Sequence, residues 1–97
     1  MYRIEISSAA RKDIKRLSKT AQLELRDTHF PQIVENPYAA EPLLYDLRGL
    51  WAYHFAVRTT QYRIVYEIDT KNQVVLLVMV ASREKFYEKL RRRLGLP

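Results

Sequence analysis

The stretch YHFAVRTTQYRIVY, Tyr53 to Tyr66, sets His54, Arg58 and Arg63 among alternating aromatic and branched residues. With Thr59 and Thr60 as the tip of an antiparallel hairpin, Arg58 faces Gln61, Ala56 faces Arg63 and His54 faces Val65. Successive side chains on a strand point to opposite faces. His54, Ala56, Arg58, Gln61, Arg63 and Val65 therefore share one face, and Tyr53, Phe55, Val57, Tyr62, Ile64 and Tyr66 share the other. A longer symmetric loop keeps this parity, whereas a one-residue slip would send one strand's apolar set into solvent. The expected result is a half-basic sheet face, left open by small Ala52 and Ala56. The plainer alternative is a solvated face with ion pairs, for instance Arg63 to Glu67.

Other chemistries are poorly supplied. There is no cysteine, so no disulfide frame or thiolate metal site is available. His29 and His54 are the only histidines, and no metal or cofactor is expected. No serine and acid are patterned around either histidine as a nucleophilic triad requires. Two glycines, Gly49 and Gly95, cannot build a phosphate-binding loop. His29 is expected on a helix as a surface or half-buried residue. Seventeen Lys and Arg against eleven Asp and Glu give a net charge of +6, which points to a polyanion or an acidic partner.

The length, 97 residues, argues for one domain. The opening residues carry no secretion signal, and the longest apolar run, Val74 to Ala81, is too short to span a bilayer. A cytoplasmic protein without membrane contact is expected.

Alternation in YRIEIS, with Tyr2, Ile4 and Ile6 on one face, predicts a half-buried strand. Ser7 or Ser8 can cap a first helix with Ala10, Ile14 and Leu17 as its seam and Asp13 among its polar residues. Thr20 can cap a second, with Leu23, Phe30, Ile33 and Val34 as core positions. Pro31 removes a backbone donor and crowds the carbonyl of Asp27, so a kink or break is expected near Phe30. Three strands follow, the last, QVVLLVMVA, apolar on both faces as a covered central strand would be. SREKFYEKLRRRLG predicts a closing helix with Phe86, Leu90 and Leu94 in register and Gly95 as its stop. Helices and strands segregate, which predicts an α+β fold with an antiparallel or mixed sheet of about four strands, two N-terminal helices and a C-terminal helix.

The ordered set LRGLWAYHFAVRTTQYRIVYEI, an apolar strand and SREKFY resembles the RelE/ParE superfamily of bacterial toxins. YRIEISSAARKDIKRL at the start and ENP after the second helix resemble it too, so the likeness spans nearly the whole chain. It implies a compact toxin neutralised by a small, RelB-like antitoxin with an amphipathic wrapping segment. For the RelE branch it implies cleavage of mRNA in the ribosomal A site by attack of a ribose 2′-hydroxyl. By the same resemblance Arg63 matches the arginine that contacts the scissile phosphate, Arg83 a second catalytic arginine, and Tyr87 the aromatic that stacks on or orients the nucleotide. One helical turn from Arg83 to Tyr87 would set both on one side.

Three positions depart from the pattern. His54 and Ala56 stand where the RelE branch often has lysines, and Ser82 stands where many relatives have histidine. His54 becomes the candidate general acid or base, because histidine alone titrates near neutrality unperturbed. Arg58, Lys85 and the tail residue Arg91 are candidate phosphate contacts. Two other functions fit the resemblance: a gyrase poison of the ParE type, and a degenerate member that only binds its antitoxin.

Overall fold

The computed structural model describes residues 1–97. Five strands form one mixed sheet: β1 (Arg3–Ile6), β2 (Glu41–Pro42), β3 (Leu50–Val57), β4 (Thr60–Asp69) and β5 (Val74–Ser82), in the order β1-β5-β4-β3-β2. β1 runs parallel to β5, and every other pairing is antiparallel. The strand beyond the expected four is β2, too short and too interrupted by Pro42 to show a period of two.

Helices α1 (Ser8–Lys15), α2 (Lys19–Glu24) and α3 (Phe30–Glu35) cover one face, and α4 (Phe86–Arg93) covers part of the other. Two cores result. Ala10, Leu25, Ile33, Phe55, Ile64 and Tyr66 belong to the first; Leu50, Val65, Met79, Phe86 and Leu90 belong to the second. β5 feeds both, through Val75, Leu77 and Val80 in the first and Met79 in the second, with Val78 and Ala81 packed against the second. Its unbroken apolar run reflects that double burial.

Ser7 caps α1 by accepting the Ala10 N–H at 3.1 Å. The cap of α2 is Ser18, not Thr20: its hydroxyl accepts the Ala21 N–H at 3.1 Å. Pro31 does not break the helical rod. A π turn over Leu25–His29 precedes α3, with the Phe30 N–H bonded to the Leu25 carbonyl, and the wider ring accommodates the proline where an α turn would crowd it. Buried Ala21 and Leu25 lie four residues apart, which sets Leu23, about 200° around the helix, on the exposed side. Leu23 is therefore not a core residue.

Asp13 is also displaced from its expected place in solvent. It is buried, and both carboxylate oxygens accept from Arg93 on α4, at 2.9 and 3.0 Å. One of them also accepts the Val80 N–H at 3.0 Å. A bulge at Val65/Tyr66 makes Val78 the extra residue on β5, and Arg93 donates to the Val78 carbonyl at 2.9 Å. One ion pair thus ties α1 to α4 and occupies two backbone groups where β1 no longer pairs with β5.

The closing helix begins at Phe86 rather than at Ser82, which ends β5. Gly95 stops it with φ +72°, the Leu96 N–H bonding the Arg91 carbonyl at 2.8 Å and the Gly95 N–H the Arg92 carbonyl at 3.1 Å. Leu94 caps that end half-exposed instead of joining the core.

In the first core the Tyr66 hydroxyl donates to the Pro37 carbonyl at 2.6 Å, and burial pushes its pKa up. Tyr66→Phe strands that carbonyl and is expected to cost about 1–2 kcal/mol in urea unfolding with an unchanged m value.

Candidate functional site

The β3–β4 hairpin turns at Arg58 and Thr59, with Val57 opposite Thr60. The tip therefore lies one residue earlier than expected, and each strand residue faces a different partner: His54 lies opposite Arg63, and Ala56 opposite Gln61. The shift moves each pairing by two residues, so the division into faces is unchanged. Arg58 occupies the turn itself with φ 56°, a left-handed conformation that closes a two-residue hairpin. Ala52 does not leave the face open, because it is fully buried in the second core beneath α4. The middle of the face is covered, and the end near the tip remains accessible.

At that end His54, Gln61, Tyr62, Arg63 and Arg83 line a cavity of about 140 Å³. Arg63 is set by β4, between His54 on β3 and Ala81 on β5. Instead of pairing with Glu67, its guanidinium lies 5.4 Å from the ring centroids of both Phe86 and Tyr87 at the start of α4. Its Nε is buried without a hydrogen-bond partner. A desolvated donor of this kind is costly in an unliganded protein and becomes useful when an anion arrives.

Arg83 stands one residue beyond β5. Its N–H donates to the Gln61 carbonyl at 2.9 Å, and its carbonyl accepts from the Phe86 N–H at 3.2 Å. The chain turns into α4 through Lys85, whose φ of 52° is strained for a residue with a side chain. Arg83 and Tyr87 are thus brought to one end of the sheet by a tight turn, not by the helical spacing expected of them. Gln61 and Arg83 also border an open, wholly polar groove of about 480 Å³ with Thr59, Thr60, Ser82 and Glu84.

His54 Nε2 lies 3.0 Å from Glu41 Oε1. Glu41 comes from β2, paired with Ala52, and was missed because the sequence shows no strand there. The carboxylate orients the imidazole and leaves Nδ1 free of protein partners. His29, by contrast, is structural. Its Nδ1 lies 2.8 Å from the Tyr53 hydroxyl, and its ring packs tilted against that of Phe55, with the centroids 4.5 Å apart.

Three of the expected phosphate contacts do not line the cavity. Arg58 projects from the hairpin tip and Lys85 from the turn before α4. Arg91 forms a bidentate pair with Asp46, one contact at 3.1 Å, and donates to the Pro97 carbonyl at 3.3 Å. The hydrogen bonding from the Arg91 guanidinium to Asp46 holds that carboxyl below the usual carboxylate range.

Residues 4–91 match the family model described as the ParE-like toxin of type II bacterial toxin–antitoxin systems. The chain belongs to that family. This toxin is 30% identical over 87 residues to Toxin RelE of Mycobacterium tuberculosis, covering 89% of this chain and 86% of that one. Its fold matches the RelBE2 toxin–antitoxin complex of M. tuberculosis with a TM-score of 0.71 and 26% identity, over 84% of this chain and 98% of that one. The isolated RelE toxin of E. coli matches with a TM-score of 0.67 and 20% identity, over 97% and 99% of the two chains. The toxin has no helix long and apolar enough to cross a membrane.

Proposed function

We propose that this toxin is a ribosome-dependent endoribonuclease that cleaves mRNA in the A site. The observation that carries the proposal is the convergence of Arg63, Arg83 and His54 on one small cavity, with the Arg63 Nε unsatisfied and Tyr87 against its guanidinium. In-line attack of a ribose 2′-hydroxyl on the adjacent phosphorus forms the new O–P bond. The 5′-oxygen departs with a proton, leaving a 2′,3′-cyclic phosphate and a free 5′-hydroxyl. Arg63 and Arg83 hold the non-bridging oxygens as negative charge grows on the phosphorane; their planar forks stay charged throughout. His54, oriented by Glu41, serves one of the two proton transfers, and Tyr87 stacks on a neighbouring base. A cognate antitoxin with an amphipathic neutralising segment, RelB-like in kind, is the proposed protein partner, as RelB is for the matched RelE complexes.

The test is cleavage of mRNA on programmed ribosomes, with naked mRNA left intact. Intact mRNA on the ribosome would sink the proposal. The ParE-like description of the matching family favours a second reading, a gyrase poison. Inhibition of gyrase supercoiling alongside intact mRNA would establish that one instead.

The His54–Glu41 pair makes its own prediction. His54→Ala is expected to slow cleavage about 10²-fold, within the usual range for a general acid or base. Glu41→Gln is expected to slow it by roughly tenfold, and the double variant should be no slower than His54→Ala, because Glu41 acts through His54. Additive losses in single-turnover assays would show that the two carboxylate and imidazole groups act separately.

A further inference from the structure

We infer that the cleft between α1 and α4 is a second phosphodiester-binding site, which takes the backbone of the RNA beyond the cleavage point; in that role it rests on the function proposed above. The cleft has a volume of about 450 Å³, and its charged lining is Asp13, Arg16, Lys89, Arg92 and Arg93. Four cations therefore face a single carboxylate. Asp13 is fully engaged, its oxygens taken by Arg93 and the Val80 N–H, and Arg93 is neutralised in the same pair. Arg16, at the end of α1, and Lys89 and Arg92, on α4, are exposed and form no ion pair. These three positive charges stand together in a chain whose net charge is +6.

The run Arg91–Arg93 makes the contrast within one helix turn. Arg91 is spent on Asp46 and Arg93 on Asp13, while Arg92 between them faces the cleft unpaired. Structural demand explains the flanking arginines and leaves the middle one unexplained. Phosphate is the ligand that three solvated, unpaired cations without a deep side-chain pocket fit best. An acidic peptide would need apolar or aromatic anchors; of the four apolar lining residues Met79 and Val80 are buried in the cores, Leu17 and Ala81 are only partly exposed, and none is aromatic. Continuity points the same way. Ala81, in the cleft wall, is the cross-strand partner of Arg63, and Arg83 follows two residues on. One strand of nucleic acid can therefore lie along the end of β5 from the cavity to the cleft.

The test is fluorescence anisotropy with a fluorescein-labelled single-stranded 2′-O-methyl RNA, which lacks the attacking hydroxyl. The full-length triple variant Arg16→Gln, Lys89→Gln, Arg92→Gln is expected to bind about tenfold more weakly at low salt. Its slope of log affinity against log salt is expected to fall by about 2, from roughly 0.7 per single-strand phosphate contact. A matched Arg16→Lys, Arg92→Lys variant should keep the affinity, and circular dichroism should show all variants folded. Parent-like binding by the triple variant would overturn the inference. So would unchanged RNA binding with selective loss of binding to polyglutamate, which marks an acidic-peptide site. A parent protein that binds RNA through these cations yet leaves ribosomal mRNA intact would support the cleft and defeat only the nuclease proposal.

Discussion

Arg63→Ala is expected to lower single-turnover mRNA cleavage on the ribosome by about 10³-fold while leaving the fold nearly as stable as the parent. The size follows from removing a preorganised cation at the point where transition-state charge develops. The near-neutral stability follows from what Arg63 does in the unliganded protein. Its contacts with Phe86 and Tyr87, 5.4 Å from each ring, contribute about 0.5–1 kcal/mol each. Its buried, unpartnered Nε costs a similar amount, and the substitution removes that cost as well. Arg63→Lys keeps the charge but loses the planar fork, so it should recover only a part of the rate. A large loss of activity with a large fall in Tm would assign Arg63 to the fold rather than to the site.

The second large effect falls on stability. Asp13→Ala is expected to cost about 3 kcal/mol, or roughly 15 °C in Tm for a chain of this size. It leaves the Arg93 guanidinium without its counter-charge in a partly buried position and strips the Val80 N–H of its acceptor. Asp13→Asn keeps one oxygen for Val80 and should cost less. The informative comparison is the double variant Asp13→Ala, Arg93→Met, which removes both charges and supplies apolar bulk. It should recover a large share of the loss, because the damage from a broken pair lies mainly in the orphaned charge. If Asp13→Ala unfolds within about 1 kcal/mol of the parent in urea, the pair is a surface contact in energetic terms.

Much of this fold was legible because period carries it. The alternation from Trp51 to Ile68 assigned both faces of the hairpin, and that assignment survives the one-residue error at its tip. Parity depends on whether the slip is odd or even, not on where the turn falls. The apolar run of β5 announced burial on both sides. Arg63 stood out as a charge inside that pattern, and resemblance supplied Arg83 and Tyr87. What the sequence hid was long-range pairing. Nothing near Asp13 says that Arg93, 80 residues later, will meet it. Glu41 gave no signal either, since a two-residue strand has no period. Leu23 misled because a single apolar residue fits a helix seam in isolation, and only the buried pair Ala21 and Leu25 shows which seam is real.

The π turn at Leu25–His29 has a consequence for how this chain tolerates changes of length. Each residue of an ordinary helix advances the face by about 100°. The wider ring holds one residue more, and so acts as a spacer that brings Ile33 back into line with Leu25 on the first core. Deleting Thr28 would remove that extra residue and let the rod close as an ordinary helix with Ile33 still in line. An ordinary helix that kept every residue would instead rotate everything after the turn by about 100° relative to the sheet. Ile33 would swing off the core, and Pro37, whose carbonyl receives the Tyr66 hydroxyl, would be carried away from its donor. An irregularity that looks like a flaw in the helix is the device that keeps its two halves in phase, and it lets this segment carry one residue more than a regular helix in the same register would hold.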